Sequence, residues 1–261
     1  MGARERWTRL LGVLGERGTV EVGEAAELLG VSTATVRRDL DELARQQLVT
    51  RTRGGAVLGS VTYDLPLRYR TGRRADEKHR IAEATAQLVP PGAVVALNGG
   101  TTTSEVAREL AVRADLAEHP SGTGLTVVTN AVNIASELAV RPHVKTVVTG
   151  GVVRESSFEV TGPLAPIVLG EISMDFAILG VNAVDPVHGA SAFDEDEARV
   201  NRVLAERADK VIVVADSTKV GQQAFAQICA VEDIWALITD TDLSDELADG
   251  FAAEGVDVIC V

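Results

Sequence analysis

From residue 93 to residue 261 the chain repeats one pattern: a short apolar run, a glycine or small polar residue, then a helical stretch. The runs are AVVAL (93–97), LTVVT (125–129), VKTVVT (144–149), DFAILGV (175–181), KVIVVAD (210–216), IWALIT (234–239) and VDVICV (256–261). Each is short for a helix and too continuously apolar for a strand with one wet face. Strands of this kind belong in a parallel sheet covered by helices on both sides. Helices are predicted at 75–88, up to about 113, up to about 140, at 195–208 and at 243–253. The predicted class is therefore α/β with a mostly parallel sheet.

Ligands in such sheets bind at the carboxyl ends of the strands. The first run ends in NGGTTT (98–103). Gly100 lets the backbone approach an anion, Thr101, Thr102 and Thr103 carry hydroxyls, and a helix begins there with its positive dipole end. The later runs end in Asn130, in Gly150-Gly151, in Asn182, and in ADSTK with Asp216 and Lys219. Donors and a cation suit a phosphate; Asn and Asp suit hydroxyls. Each motif alone has a plainer explanation as an N-cap turn, a turn amide, a helix cap or a solvated lysine. Their common position after successive strands is what groups them into one pocket. No phosphate loop ending in Gly-Lys-Ser/Thr and no GxGxxG turn is present.

Residues 1–58 differ in kind. They hold nine Arg against eight acidic residues, whereas residues 59–261 hold sixteen Lys or Arg against thirty. That asymmetry predicts two modules with different partners. Trp7, Leu10, Leu11 and Leu14 mark one helix, and Val22, Ala25, Ala26 and Leu29 a second that ends at Gly30. Ser32 is a good N-cap for a third. Its inward residues are Val36, Leu40 and Leu43, so Thr33, Thr35, Arg37 and Arg38 lie near the outer face of its first turns. In RTRGGAVL (51–58), Arg51 and Arg53 are two apart and would share one face of a strand. Gly54-Gly55 would then turn the chain back. The pattern predicts a winged helix-turn-helix: its arginines suit phosphates or the guanine edge in duplex DNA, and Ser32, Thr33 and Thr35 are short enough to approach closely and bond phosphates. The competing explanation is a three-helix bundle whose arginines pair with Asp39, Asp41 and Glu42.

Residues 59–74 carry Gly, Pro and charge without sustained periodicity and read as a linker between a 1–58 module and a 75–261 module. No stretch approaches the roughly 18 apolar residues of a membrane span, and MGARERWTRLLGVLGERG has no apolar signal core, so the expected location is cytoplasmic. Cys229 and Cys260 sit in apolar surroundings and are expected to be buried, reduced thiols. Neither their spacing nor the four scattered histidines form a metal site, and no cofactor or metal is expected.

VSTATVRRDLDEL with RTRGGAVL resembles the DNA-binding end of DeoR-family bacterial transcription regulators. NGGTTTSEVAREL, VVTNAVNIASEL, VVTGGVVRESSFEVTGP, DFAILGVNAV and VADSTKVG resemble, in order, the blocks of that family's sensor domain. The resemblance covers almost the whole chain. It implies a Rossmann-like sensor domain similar to ribose-5-phosphate isomerase, a phosphorylated sugar or related metabolite as effector, operator DNA as partner, and a homodimer or homotetramer. It implies a phosphate turn from Gly100 to Thr103, with Asn130, Gly150, Gly151, Asn182, Asp216 and Lys219 lining the pocket. It adds Lys78, in DEKHRIAEA, to the effector set. One departure stands out: family members often have Asp where this chain has Asn98, so the expected site lacks one negative charge.

Three functions follow: a ligand-released repressor of a sugar-catabolism operon, an isomerase-like enzyme using Asp216 and Lys219, and a metabolite sensor that docks on another protein. The winged module favours the first, since an isomerase has no use for it.

Overall fold

The computed structural model describes residues 2–17, 19–45, 48–58, 74–120 and 122–261. The chain divides into two compact units, residues 1–73 and 74–261. The linker expected at 59–74 lies outside the described residues except for Arg74.

In the first unit, helices α1 (Ala3–Arg17), α2 (Val22–Leu29) and α3 (Thr33–Arg45) enclose a core that includes Leu10, Leu11, Leu14, Ala25, Val36, Leu40 and Leu43. All seven are at most 1% exposed, and burying each leucine contributes roughly 1.5–3 kcal/mol. Gly30 closes α2 at φ 63, a left-handed C-cap that a side chain would resist. The Ser32 Oγ accepts from the Thr35 amide at 3.2 Å and so opens α3 as an N-cap.

The wing has one strand more than the sequence suggests. β1 (Thr19–Glu21), β2 (Val49–Arg51) and β3 (Gly55–Leu58) form an antiparallel sheet in the order β1-β3-β2. Three residues give too little alternation for β1 to be read from sequence. The strand fits because Gly55 is glycine: a Cβ there would overlap the Val20 carbonyl.

The second unit carries seven parallel strands in one sheet. In chain order its elements are α4 (Ala75–Gln87), β4 (Val94–Leu97), α5 (Thr101–Val112), α6 (Ala114–Ala117), β5 (Leu125–Thr129), α7 (Val132–Leu138), β6 (Val144–Val148), β7 (Val152–Val153), β8 (Val160–Thr161), α8 (Leu164–Gly170) and β9 (Met174–Gly180). There follow β10 (Ala183–Asp185), β11 (Gly189–Ala192), α9 (Glu195–Glu206), β12 (Ala208–Val214), β13 (Ala226–Cys229), β14 (Ile234–Thr239), α10 (Asp245–Ala253) and β15 (Asp257–Cys260).

The main sheet runs β15-β14-β12-β9-β4-β5-β6. Counted along the chain, that is the order 3-2-1-4-5-6-7, the Rossmann-like arrangement with its reversal between β4 and β9. Strand side chains alternate between two cores. Val95, Leu97, Ile178, Ile212 and Val214 pack with α4, α5 and α7 residues such as Ile81, Val106, Leu110 and Ile134. Ala96, Ala177, Leu179, Val211 and Val213 pack with Ala165, Leu169, Leu204 and Phe251 from α8, α9 and α10. Burial on both faces explains why the runs read as continuously apolar.

Two smaller features were not read from the sequence: the antiparallel sheet β10-β11-β13 and the ribbon β7–β8. Cys229 is buried, and burial pushes its thiol up to about 12. Cys260 is exposed rather than buried, because β15 is an edge strand.

Candidate functional site

On α3 the acidic residues are already engaged. Asp39 accepts from Arg6 Nε at 2.6 Å, from Arg6 Nη2 at 2.9 Å and from Trp7 Nε1 at 2.8 Å. Burial alone would raise the Asp39 pKa, but the Arg6 and Trp7 hydrogen bonds outweigh it and hold the carboxyl below its ordinary range. Asp41 pairs with Arg51 Nε at 2.8 Å, and Glu42 pairs with Arg45. Arg37 and Arg38 are exposed and make no ion pair among the described residues. The competing explanation thus holds for Arg6, Arg51 and Arg45, which pair with these three acids, and not for Arg37 and Arg38. Thr33 is exposed, while the Thr35 hydroxyl is within 2.9 Å of Ser32 Oγ.

Arg51 and Arg53 do not share a strand face. β2 stops at Arg51, because the Thr52 amide bonds the Gly55 carbonyl and Thr52 Oγ1 accepts from the Gly55 amide, closing a turn. Arg51 is held by Asp41 and by the Gly55 carbonyl, whereas Arg53 stands exposed in the turn. Of the four arginines, Arg37, Arg38 and Arg53 present their guanidinium groups outward.

In the second unit the strand order reverses between β4 and β9, the place in such sheets where a ligand is expected. Asn98 spans it. Its Nδ2 donates to the Gly180 carbonyl and its Oδ1 accepts from the Gly180 amide, each at 2.8 Å, and the residue is fully buried. Its amide is a strut between two strands rather than a group offered to a ligand.

Gly100, at φ 150, leads into α5, and its carbonyl accepts from Ser104 Oγ at 2.7 Å and Thr103 Oγ1 at 3.3 Å. The Thr103 hydroxyl thus serves its own turn. Thr102 and Thr103 are buried and Thr101 is half-buried. The first amides of α5, on Thr101, Thr102 and Thr103, have no acceptor within the helix and form its positive end.

Beside this turn lies a residue that sequence reasoning missed. Glu159 is 1% exposed, and its Oε1 accepts from the Gly99 amide at 3.0 Å and from Asn130 Nδ2 at 3.4 Å. A Cβ at Gly99 would collide with the Glu159 side chain, so the two residues fit only as a pair. The available signal was charge: Glu159 is the single charged residue between Ser156 and Gly170.

The other expected residues divide. Asn130 is fully buried, and its Oδ1 has no hydrogen-bond partner among the described residues. Gly151, at φ 141, is required by close packing, since a Cβ there would overlap the Thr161 carbonyl; Gly150 has ordinary space. The Asn182 Oδ1 accepts from the Phe193 amide at 3.0 Å and so acts as a turn amide. Asp216 is 5% exposed and accepts from the Thr218 hydroxyl. Lys219 Nζ donates to the Val181 carbonyl at 2.8 Å, just past β9. Lys78 is 5% exposed on α4.

A second cluster adjoins Asp216. Arg74 bonds Asp242 at 2.5 Å and Asp240 at 3.3 Å and lies 3.2 Å from Glu77. Asp240 in turn accepts from the Ser217 amide at 2.8 Å. Burial opposes the Arg74 charge, yet its three carboxylates raise its pKa. For Asp240, burial is outweighed by the Ser217 bonds and by Arg74, and the carboxyl stays below its ordinary range. Among the described residues no group of His, Cys, Asp and Glu could hold a metal ion. No described helix is long and apolar enough to cross a membrane.

Two family descriptions match this chain: a DeoR-like helix-turn-helix domain over residues 6–62 and a DeoR C terminal sensor domain over residues 73–241. The chain is 33% identical to a putative aga operon transcriptional repressor of Escherichia coli O157:H7, over 100% of this chain and 94% of that protein. It is 30% identical to the glycerol-3-phosphate regulon repressor of Escherichia coli (strain K12), over 92% of each. Among solved structures, ribose 5-phosphate isomerase A from Methanocaldococcus jannaschii aligns with a TM-score of 0.41 at 19% identity, covering 56% of this chain and 54% of that one.

Proposed function

Since this chain belongs to the DeoR family of transcriptional regulators, we propose that it represses an operon of carbohydrate metabolism and leaves its operator when a phosphorylated sugar or related metabolite binds the sensor. It is a regulator rather than an enzyme. The observation that carries the DNA half is the state of α3: every carboxylate near its exposed face is engaged, and Arg37 and Arg38 are not. Such a helix enters a major groove N-terminus first, where a guanidinium can meet guanine O6 and N7. Arg53 in the wing turn is placed to meet a phosphate. The acidic composition of the rest of the chain is no obstacle, because affinity follows local phosphate contacts.

The sensor half rests on the anion turn at Gly100–Thr103, the strand reversal beside it, and Lys219 near the same reversal. The proposed division is 1–58 for DNA, 59–74 as linker and 75–261 as sensor, in a cytoplasmic homodimer or homotetramer. Two copies would place two recognition helices on an operator with repeated or palindromic half-sites. The name of one relative, a glycerol-3-phosphate regulon repressor, supports a small phosphorylated effector.

Release requires that occupancy be felt at residue 74, where the linker meets the sensor. A relay exists within the sensor: Val181 to Lys219, the Ser217–Lys219 turn to Asp240, and Asp240 to Arg74. A thermal-shift screen of phosphorylated sugars, each paired with its unphosphorylated parent, identifies the effector. Operator affinity with and without that effector then tests the function. An effector that binds yet leaves operator affinity unchanged would refute the coupling.

A further inference from the structure

Asn130 follows the last paired residue of β5, and Thr149 follows the last paired residue of β6, so the two stand side by side at the sheet's carboxyl edge. Both are buried, and Asn130 Oδ1 and Thr149 Oγ1 have no hydrogen-bond partner among the described residues. Unpaired buried polar atoms are costly, and a fold that keeps two at a ligand-binding edge calls for an explanation.

Glu159 supplies part of it. The Gly99 amide is an unambiguous donor, so Glu159 Oε1 acts as an acceptor. The Asn130 group facing the same oxygen must therefore be its NH2, which turns the amide oxygen away from Glu159. The backbone holds this arrangement too: the Asn130 carbonyl accepts from the Val160 amide at 2.6 Å, and Ala131 bridges Glu159. Asn130 is held with one amide hydrogen on Glu159 and its oxygen turned away from it.

We propose that Asn130 Oδ1, oriented by Glu159, is an acceptor subsite that selects a hydrogen-bond donor on the effector, a hydroxyl or an ammonium, carried next to the phosphate held at the N-terminus of α5. Asn130 touches the ligand, and Glu159 is the positioning residue behind it. The Thr149 hydroxyl, which can give or accept, completes the subsite. This inference rests on the sensor reading above. It narrows the effector from phosphorylated sugars and related metabolites to phosphate monoesters whose nearest donor lies close to the ester. The Glu159 carboxylate adds a preference for a cationic donor over a neutral one.

The test uses the full chain and four probes: inorganic phosphate, ethyl phosphate, 2-hydroxyethyl phosphate and phosphoethanolamine. The last three differ only in a terminal hydrogen, hydroxyl or ammonium. Calorimetric affinities should rank the hydroxyl ester about five- to tenfold tighter than ethyl phosphate, with the ammonium ester at least as tight. In Asn130→Ala, with folding checked by circular dichroism, the hydroxyl-to-ethyl ratio should fall to about one. Glu159→Gln keeps an oxygen for Gly99 and Asn130 but removes the charge. It should retain the hydroxyl preference and lose any extra preference for the ammonium, a split that simple loss of structure would not produce. Equal binding of ethyl and hydroxyethyl phosphate by the parent would overturn the inference while leaving the anion turn standing. A hydroxyl preference that survives in Asn130→Ala, or vanishes in Glu159→Gln, would also overturn it. Failure of all four probes, inorganic phosphate included, would overturn the sensor reading and this inference together.

Discussion

Replacing Asn98 with Asp separates a structural amide from a ligand-reading one. The parent amide makes two 2.8 Å bonds to the Gly180 backbone in a fully buried position. A carboxylate keeps the bond from the Gly180 amide but sets an oxygen against the Gly180 carbonyl. The lost hydrogen bond costs about 1 kcal/mol and the stranded carbonyl about 1–3 kcal/mol more, for a penalty near 3 kcal/mol at neutral pH. Protonation relieves it, because the neutral acid donates to that carbonyl. The introduced carboxyl should therefore titrate above its unfolded value of about 3.9, and at about 1.4 kcal/mol per unit a 3 kcal/mol penalty places the folded pKa near 6. A raised folded pKa means that the variant matches the parent below about pH 4, loses stability up to about pH 6, and runs parallel to it above. Urea unfolding across this range, followed by Trp235 fluorescence in a Trp7→Phe background, measures the difference in the sensor alone. A penalty of the same size at pH 5 and pH 8 would refute the carbonyl-repulsion argument. No penalty at pH 8 would refute the strut itself.

The DNA interface predicts unequal arginines. Arg37→Ala and Arg38→Ala should each weaken operator binding by roughly 1–3 kcal/mol where the side chain reads a base, while Arg53→Ala should weaken binding to all sequences and reduce the salt slope by about one in fluorescence-anisotropy titrations. Arg51→Ala should act first on the melt of the DNA-binding unit, because its guanidinium already holds Asp41 and Gly55. The depressed Asp39 pKa predicts that this unit keeps the Arg6–Asp39–Trp7 contribution above about pH 4, the unfolded value, and loses it as pH falls through the lower folded one. Trp7 fluorescence during acid titration should report that loss, and Asp39→Asn should lower neutral stability while removing this acid step. Lys219→Ala should bind operator like the parent without effector but fail to release it with effector; normal release would remove Lys219 from the sensor.

What was legible in the sequence follows from periodicity. The seven sheet strands and most helices were readable because burial on both faces leaves a continuous apolar run, and helices buried on one face leave a 3–4 spacing. Short elements escaped for want of length: β1, β7 and β8 are two or three residues each and exist through partners distant in sequence. Within the site, spacing located Asn98, Asn130 and Asp216 at strand ends, yet it could not say which way a side chain would face. Asn98 and Asn182 are both polar residues after a strand, and each spends its amide oxygen on backbone. Asn130, identical in type and setting, keeps its oxygen unpaired only because Glu159, from the ribbon, takes its other end.

That ribbon bears on the departure at position 98. Where the resembling family often has Asp after its first sensor strand, this chain has a neutral amide, and the expectation was a site short of one negative charge. A carboxyl group is present but arrives from elsewhere: Glu159 reaches the next residue along, Gly99, and is almost wholly buried there. A second carboxylate at position 98, one residue from the amide that Glu159 holds, would add another buried acid to the same region, and like charges at close range disfavour joint ionisation. A neutral Asn98 avoids that repulsion. The repulsion also predicts an interaction between the two positions: Asn98→Asp should be less costly in a Glu159→Gln background than in the parent. The double-mutant cycle at pH 8 measures that difference, and additive penalties would mean that the two side chains do not share a field.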